Sequence, residues 1–154
     1  MISSHITHIS QNGINTIKGF EGFRGVPYLD KADVPTIGWG TIRYPNGVRV
    51  TLKDAEITQK QADLFFLHDV AIFESGVDAL TIDSINQNQF DMLVSFAYNL
   101  GLGALRGSTL LKKVNRNPND PTIKDEFTKW IYADGKRSRG LLSRRNKEAS
   151  IYLS

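Results

Sequence analysis

At 154 residues the chain is long enough to bury one hydrophobic core, and its 40% hydrophobic and 23% charged residues exclude a disordered or collagen-like class. Nineteen Lys and Arg against 16 Asp and Glu leave a net charge of +3, which favours anionic partners such as nucleic acid, acidic envelope polymers or membrane surfaces without choosing among them. The absence of cysteine excludes a disulfide framework, a Cys-ligated zinc site and a thiol nucleophile.

The opening run MISSHITHISQNG has no basic start followed by an apolar core, so it reads as neither a signal peptide nor a signal anchor. No stretch reaches the ~18 apolar residues of a membrane span, and stable membrane insertion is not expected. His5 and His8 read as exposed at a flexible terminus. A short helix is expected from near Ser10, with Gly25 and Pro27 as stop signals. Ile14, Ile17 and Glu21 follow the i, i+3, i+7 spacing, which puts a carboxylate on the apolar stripe. Residues 27 to 50 are β-prone and turn-rich, with the strong turn signal PNG at 45 to 47, and predict a small antiparallel sheet.

Thr58 and Gln61 form a capping-box pattern behind Ile57 as a hydrophobic staple, opening a helix with apolar positions 62, 65, 66 and 73 that is expected to end near Gly76. Ser84 and Gln87 form a second capping-box pattern before a helix whose apolar face is Phe90, Leu93, Val94 and Ala97, ending at Gly101. Further helices are expected from Thr109, from Pro121 with apolar positions 123, 127, 130 and 131, and from about Leu141. The class is α+β: a β-containing front portion of about 15–57, a connecting helix of about 58–76, and a helical portion of about 80–154 on which the N-terminal helix packs. A cleft between two such lobes is a natural site for a polymer.

Glu21 carries the first chemical signal. Desolvation on an apolar stripe and the negative end of a helix both favour its protonated form, which suits a general acid, although Arg24 at i+3 acts in the opposite sense. Asp30, nine residues on in a turn-rich segment, has the ordinary role of an Asx-turn residue. Beside Glu21 it also supplies the second carboxyl, in an unlike environment, that glycoside hydrolysis requires. Thr36 is by default a strand residue, and its hydroxyl could orient a water beside Asp30.

Glu21, Asp30 and Thr36, within GFEGFRGVPYLD and PTIGWGT, resemble the Glu/Asp/Thr triad of phage-type lysozymes, the endolysins of glycoside hydrolase family 24. The resemblance continues through QNQFDMLVSFAYNLGLGALRGSTLLKKVN, residues 87 to 115, and through KW at 129 to 130 followed by GLLSRRNKEASIYL, residues 140 to 153. It implies a lysozyme-like fold with the cleft as active site, and a muramidase that cleaves the β-1,4 bond between N-acetylmuramic acid and N-acetylglucosamine in peptidoglycan. Glu21 would protonate the leaving oxygen, Asp30 would assist the attacking water or stabilise positive charge at the sugar, and Thr36 would hold that water. The family is understood to invert, which places the two carboxyls roughly 6.5 to 9.5 Å apart. Gly40, Ile42, Tyr98 and Ser108 fall where the family contacts saccharide; Tyr98 fits equally a ring stacked on sugar and a helix residue at a core edge. The position five residues after the threonine, commonly His in the family, is Thr41, so a His-based ion pair is not expected there.

Five basic residues lie between Lys136 and Arg145. Leu141, Leu142 and Arg145 share a helical stripe, which points Arg145 inward and makes it or Arg144 a candidate partner of Glu21. No nucleic-acid motif accompanies these charges. No metal site is expected, since Asp30 and Asp33 lack EF-hand spacing and His5, His8 and His68 lack a ligand pattern, and no cofactor is implied. The resemblance also implies a monomer that folds in the host cytoplasm and reaches the wall through a membrane lesion made by a holin. Competing readings are a lytic transglycosylase, which needs only the glutamate, a non-catalytic wall-binding or membrane-permeabilising protein, and the killing domain of a bacteriocin-like toxin.

Overall fold

The computed structural model describes residues 5–154, which divide into two compact units, Ile14–Ile72 and the residues through Gly13 with Phe73–Ser154. In the first unit, α1 (Gln11–Glu21), which enters it at Ile14, leads into an antiparallel pair, β1 (Arg24–Leu29) and β2 (Pro35–Gly38), in which Leu29 faces Pro35 and Tyr28 faces Thr36. The register slips between Arg24 and Tyr28, where Pro27 has no N–H to give to the ladder. Residues 41–50 make a turn with two isolated bridges rather than full strands. At its tip Gly47 takes φ 87°, and its N–H donates to the Tyr44 carbonyl at 2.8 Å.

The helix α2 (Gln59–Leu80) opens with the expected capping box: Gln61 N–H donates to Thr58 Oγ1 at 3.1 Å, and Thr58 N–H to Gln61 Oε1 at 2.9 Å. Ile17, Ile37, Val50, Ala62, Phe66 and Val70 are buried and form the core of this unit. The helix does not end near Gly76 but continues to Leu80. Gly76 is there for packing: a Cβ on it would lie 2.4 Å from Leu102.

In the second unit α3 (Gln87–Leu100) buries Phe90, Leu93, Val94 and Ala97 completely, each large apolar side chain contributing about 1.5–3 kcal/mol. Its cap is Asn86 with Gln89, not Ser84 with Gln87. Both pairs fit the capping-box spacing, but the later start leaves the Gln87 amide to bond the His8 carbonyl and Asp91, and the Gln89 amide to bond Pro118 and Asn119.

Then follow α4 (Leu102–Arg106), α5 (Thr109–Arg116), α6 (Ile123–Phe127), the hairpin β3 (Tyr132–Ala133) with β4 (Lys136–Arg137), and α7 (Arg139–Tyr152). The helix expected from Pro121 through 131 is only the five residues of α6. Beyond it the Trp130 and Ile131 carbonyls accept from Arg145 Nε and Ser138 N–H, which takes the chain out of the helix. The final helix begins two residues before Leu141, capped by the Ser138 hydroxyl.

Asp91, buried on α3, holds the start of α1. It accepts from Ser10 N–H at 3.0 Å and Ser10 Oγ at 2.5 Å, and Ser10 Oγ in turn caps the helix by accepting from Gly13 N–H at 3.1 Å. Gly13 lies against this carboxylate, and a Cβ there would meet it at 2.8 Å. The segment before α1 is tied down. His5 hydrogen-bonds Asp78 and lies 2.9 Å from Asp83, and the bond to Asp78 pushes its imidazole above the usual histidine range. His5 and His8 are both exposed, as expected, and His8 lies 3.4 Å from Glu74.

Candidate active site

Glu21 is the last residue of α1, half-buried, two turns along the stripe from Ile14 and one from the fully buried Ile17. The helix stops there because Gly22 takes φ 72° and turns its N–H back to the Lys18 carbonyl at 2.9 Å. Lys18 fixes this turn within the unit. Its ammonium lies 2.9 Å from Asp63, which also accepts from Trp39 Nε1 at 2.8 Å, and it sits over the Trp39 ring. The Lys18 bond holds the Asp63 carboxyl below the usual range, against a smaller opposing effect of burial. Helix α1, the turn after β2 and α2 are thereby pinned together at Lys18, one turn before Glu21.

Asp30 opens the hairpin loop. Its Oδ1 accepts from Ala32 N–H at 2.8 Å and Val34 N–H at 2.9 Å, while its own N–H donates to the Val34 carbonyl at 3.0 Å. The ordinary turn role of an aspartate is therefore present, but it occupies one oxygen only. Oδ2 accepts no hydrogen bond among the described residues. Asp33 closes the loop at φ 60°, a left-handed conformation that Asp tolerates better than most residues.

Thr36 is 3% exposed, and its hydroxyl donates to the Val34 carbonyl at 2.8 Å. The proton is committed to that bond, so towards a water the hydroxyl acts as an acceptor. Side chains two apart on a strand share a face, and Tyr28 pairs with Thr36 across the ladder, so Tyr28, Asp30 and Thr36 lie on one face of the hairpin. Burial pushes the Tyr28 phenol up, and the negative charges of Glu21 and Asp30 add to this while Arg24 opposes it. One ring thus lies within electrostatic range of both carboxylates. Sequence reasoning passed over Tyr28, although its i, i+2 relation to Asp30 was there to read.

Thr41 donates its hydroxyl to Asp69 Oδ2 at 2.7 Å. Burial is the main influence on Asp69 and raises its carboxyl above the usual range; the Thr41 bond and the nearby His68 offset this in part. A raised folded-state value means that the Asp69 contribution to stability is greatest below the unfolded carboxylate pKa, about 3.9, and is lost as pH rises through the folded value. Asp69→Asn is therefore expected to melt above the wild type at pH 7, with the gap closing as pH falls through the carboxylate range. Thermal melts from pH 3 to pH 7 check this, and a gap that widens in acid contradicts it.

The other expected positions have different local settings. Gly40 takes φ 99°, which favours glycine, and Ile42 is exposed. Tyr98 is half-buried on α3 with its ring 5.4 Å from that of Phe73. Ser108 is the buried N-cap of α5: its hydroxyl accepts from Leu111 N–H at 3.0 Å and donates to the Leu105 carbonyl at 2.6 Å, so the side chain is withdrawn from solvent.

Arg145 points inward as its stripe predicts, and its three guanidinium nitrogens meet Glu148, Asn99 and the Trp130 carbonyl. Burial lowers its pKa, an effect that the charge of Glu148 offsets only in part. Arg144, also buried, lies 3.4 Å from Glu148 and donates to the Ser95 carbonyl at 3.0 Å. Lys136, Arg137 and Arg139 are exposed. Among the described residues no group of three His, Cys, Asp or Glu side chains could hold a metal ion.

Residues 18–148 match the phage lysozyme family. The endolysin of Bacillus phage B103 is 44% identical over 147 residues, covering 96% of this chain and 54% of that protein. The endolysin of Salmonella phage P22 is 36% identical over 146 residues, covering 95% and 98%. The solved endolysin of Escherichia coli O157:H7 phage FAHEc1 superposes with a TM-score of 0.88 at 38% identity, covering 99% of this chain and 97% of that one. The chain spans about half the length of the Bacillus phage relatives. With the family matched over most of its length, this chain belongs to the phage lysozymes.

Proposed function

We propose that the chain is an endolysin that hydrolyses the β-1,4 bond between N-acetylmuramic acid and N-acetylglucosamine in peptidoglycan, with inversion at the anomeric carbon. The observation that carries this reading is the division of labour at Asp30: Oδ1 builds the turn while Oδ2 keeps its acceptor capacity, on the same hairpin face as the Thr36 hydroxyl. A water that donates one hydrogen to Asp30 Oδ2 and the other to Thr36 Oγ1 keeps a lone pair directed outward for attack. Glu21, as the acid, gives its proton to the glycosidic oxygen as the bond from that oxygen to C1 breaks. The water oxygen bonds C1 from the opposite face and its proton passes to Asp30. One water is consumed and one new reducing end is formed.

Gly40, Ile42, Tyr98 and Ser108 remain proposed saccharide contacts, on the resemblance to the family. Among the described residues no helix is long and apolar enough to cross a membrane, and access to the wall is proposed to depend on a separate holin. Mass spectrometry of purified peptidoglycan digested by the wild type tests the reaction class. Fragments ending in reducing muramic acid support hydrolysis, fragments ending in the anhydro sugar support a lytic transglycosylase, and intact glycan supports a wall-binding or membrane-permeabilising protein.

A further inference from the structure

Tyr28 stands out among the groups around the hairpin that the proposed reaction does not use. Its hydroxyl makes no hydrogen bond among the described residues, yet no buried side-chain nitrogen or oxygen lacks a partner, so this hydroxyl is reached by solvent. The ring itself is partly buried and set directly across from Thr36, two residues before Asp30 on the same face. Arg24 lies on it: the guanidinium carbon is 4.4 Å from the ring centroid, and Arg24 has no carboxylate partner among the described residues. A bulged strand thus brings a cation onto an aromatic face, and the ring is clamped while its hydroxyl is left unused.

We propose that Tyr28 is a substrate-contacting residue whose hydroxyl donates a hydrogen bond to an oxygen of the saccharide at the proposed hydrolytic site, and that Arg24 is a positioning residue acting through the Tyr28 ring. The inference rests on the endolysin reading. Three observations support it together: the shared face with Asp30 and Thr36, the unpartnered hydroxyl, and the stacked cation. The influence of the Glu21 and Asp30 charges on the phenol agrees with this placement, and a phenol is a hydrogen-bond donor at neutral pH.

The test is a double-mutant cycle on purified peptidoglycan with Tyr28→Phe, Arg24→Gln and the double variant, with a melting temperature for each. Tyr28→Phe keeps the ring and the stack, so its melting temperature is expected to match the wild type while kcat/KM falls about tenfold, the value of one hydrogen bond near the upper end of the uncharged range. Arg24→Gln is expected to lower kcat/KM in the Tyr28 background and to have no further effect beside Phe at position 28. Wild-type kcat/KM in Tyr28→Phe overturns the substrate contact. An equal loss from Arg24→Gln in both backgrounds overturns positioning, because the arginine would then meet the substrate itself. A Glu21→Gln control separates the two levels. If it is inactive while Tyr28→Phe is unimpaired, only the Tyr28 proposal fails; if it hydrolyses at the wild-type rate, the endolysin mechanism beneath it fails.

Discussion

Glu148→Ala is expected to destabilise the protein by about 3–5 kcal/mol, lowering the melting temperature by roughly ten degrees. Glu148 is fully buried on α7, and its two oxygens meet the Arg145 guanidinium, Arg144 Nε at 3.4 Å and the Ser95 hydroxyl at 2.6 Å. Removing it leaves two arginines buried without this counter-charge, one of them with no exposure at all. The loss is larger than that of a surface ion pair, which is typically worth about 0–1 kcal/mol, because the arginines cannot recover their hydration while the helices stay packed. Glu148→Gln keeps an acceptor for Ser95 but not the charge, and is expected to fall between the wild type and Ala. Thermal unfolding of the three proteins measures this; a change below about 1 kcal/mol for Ala contradicts the network's role.

Asp30→Asn is expected to leave stability within about 0.5 kcal/mol of the wild type while lowering the hydrolysis rate roughly a hundredfold or more. The reason is the unequal use of the two oxygens. Asn keeps an Oδ1 that can accept from Ala32 and Val34 N–H, so the turn persists, but it replaces Oδ2 by an amide that cannot take a proton from water. Asp30→Ala loses both turn bonds as well, and is expected to cost about 1–2 kcal/mol in addition to the activity. Melting curves and rates on purified peptidoglycan separate the two roles. A fully active Asp30→Asn would favour a transglycosylase, which needs no second carboxylate.

Local signals with one solution were legible. Thr58 and Gln61 could cap only one helix, PNG could make only a turn, and the stripe through Leu141, Leu142 and Arg145 turned the arginine inward. Signals with two solutions depended on tertiary contacts that no local pattern contains. Ser84 and Asn86 offered rival caps, and the amides of Gln87 and Gln89 selected the second. Gly76 read as a helix end because a close neighbour, Leu102, is far away in sequence. The β3–β4 hairpin carried a readable mark, Asp134–Gly135, both at positive φ, but its strands are only two residues long.

The candidate site divides along the same line. Glu21, Asp30 and Thr36 are proposed from spacing and resemblance, whereas the division of Asp30 between turn and acceptor, and the Tyr28–Arg24 stack, depend on strand register and a bulge. Arg145 was placed correctly as buried, but its partners Glu148, Asn99 and the Trp130 carbonyl are assembled by packing of α3, α7 and the segment after α6.

The proposed general acid is tested most directly by digesting purified peptidoglycan with the wild type and Glu21→Gln side by side and identifying the new glycan ends by mass spectrometry. The wild type is predicted to release fragments ending in reducing muramic acid, and Glu21→Gln, which has no proton for the leaving oxygen, to release them at least about a hundredfold more slowly. Release of the same reducing ends at the wild-type rate by Glu21→Gln would contradict the mechanism.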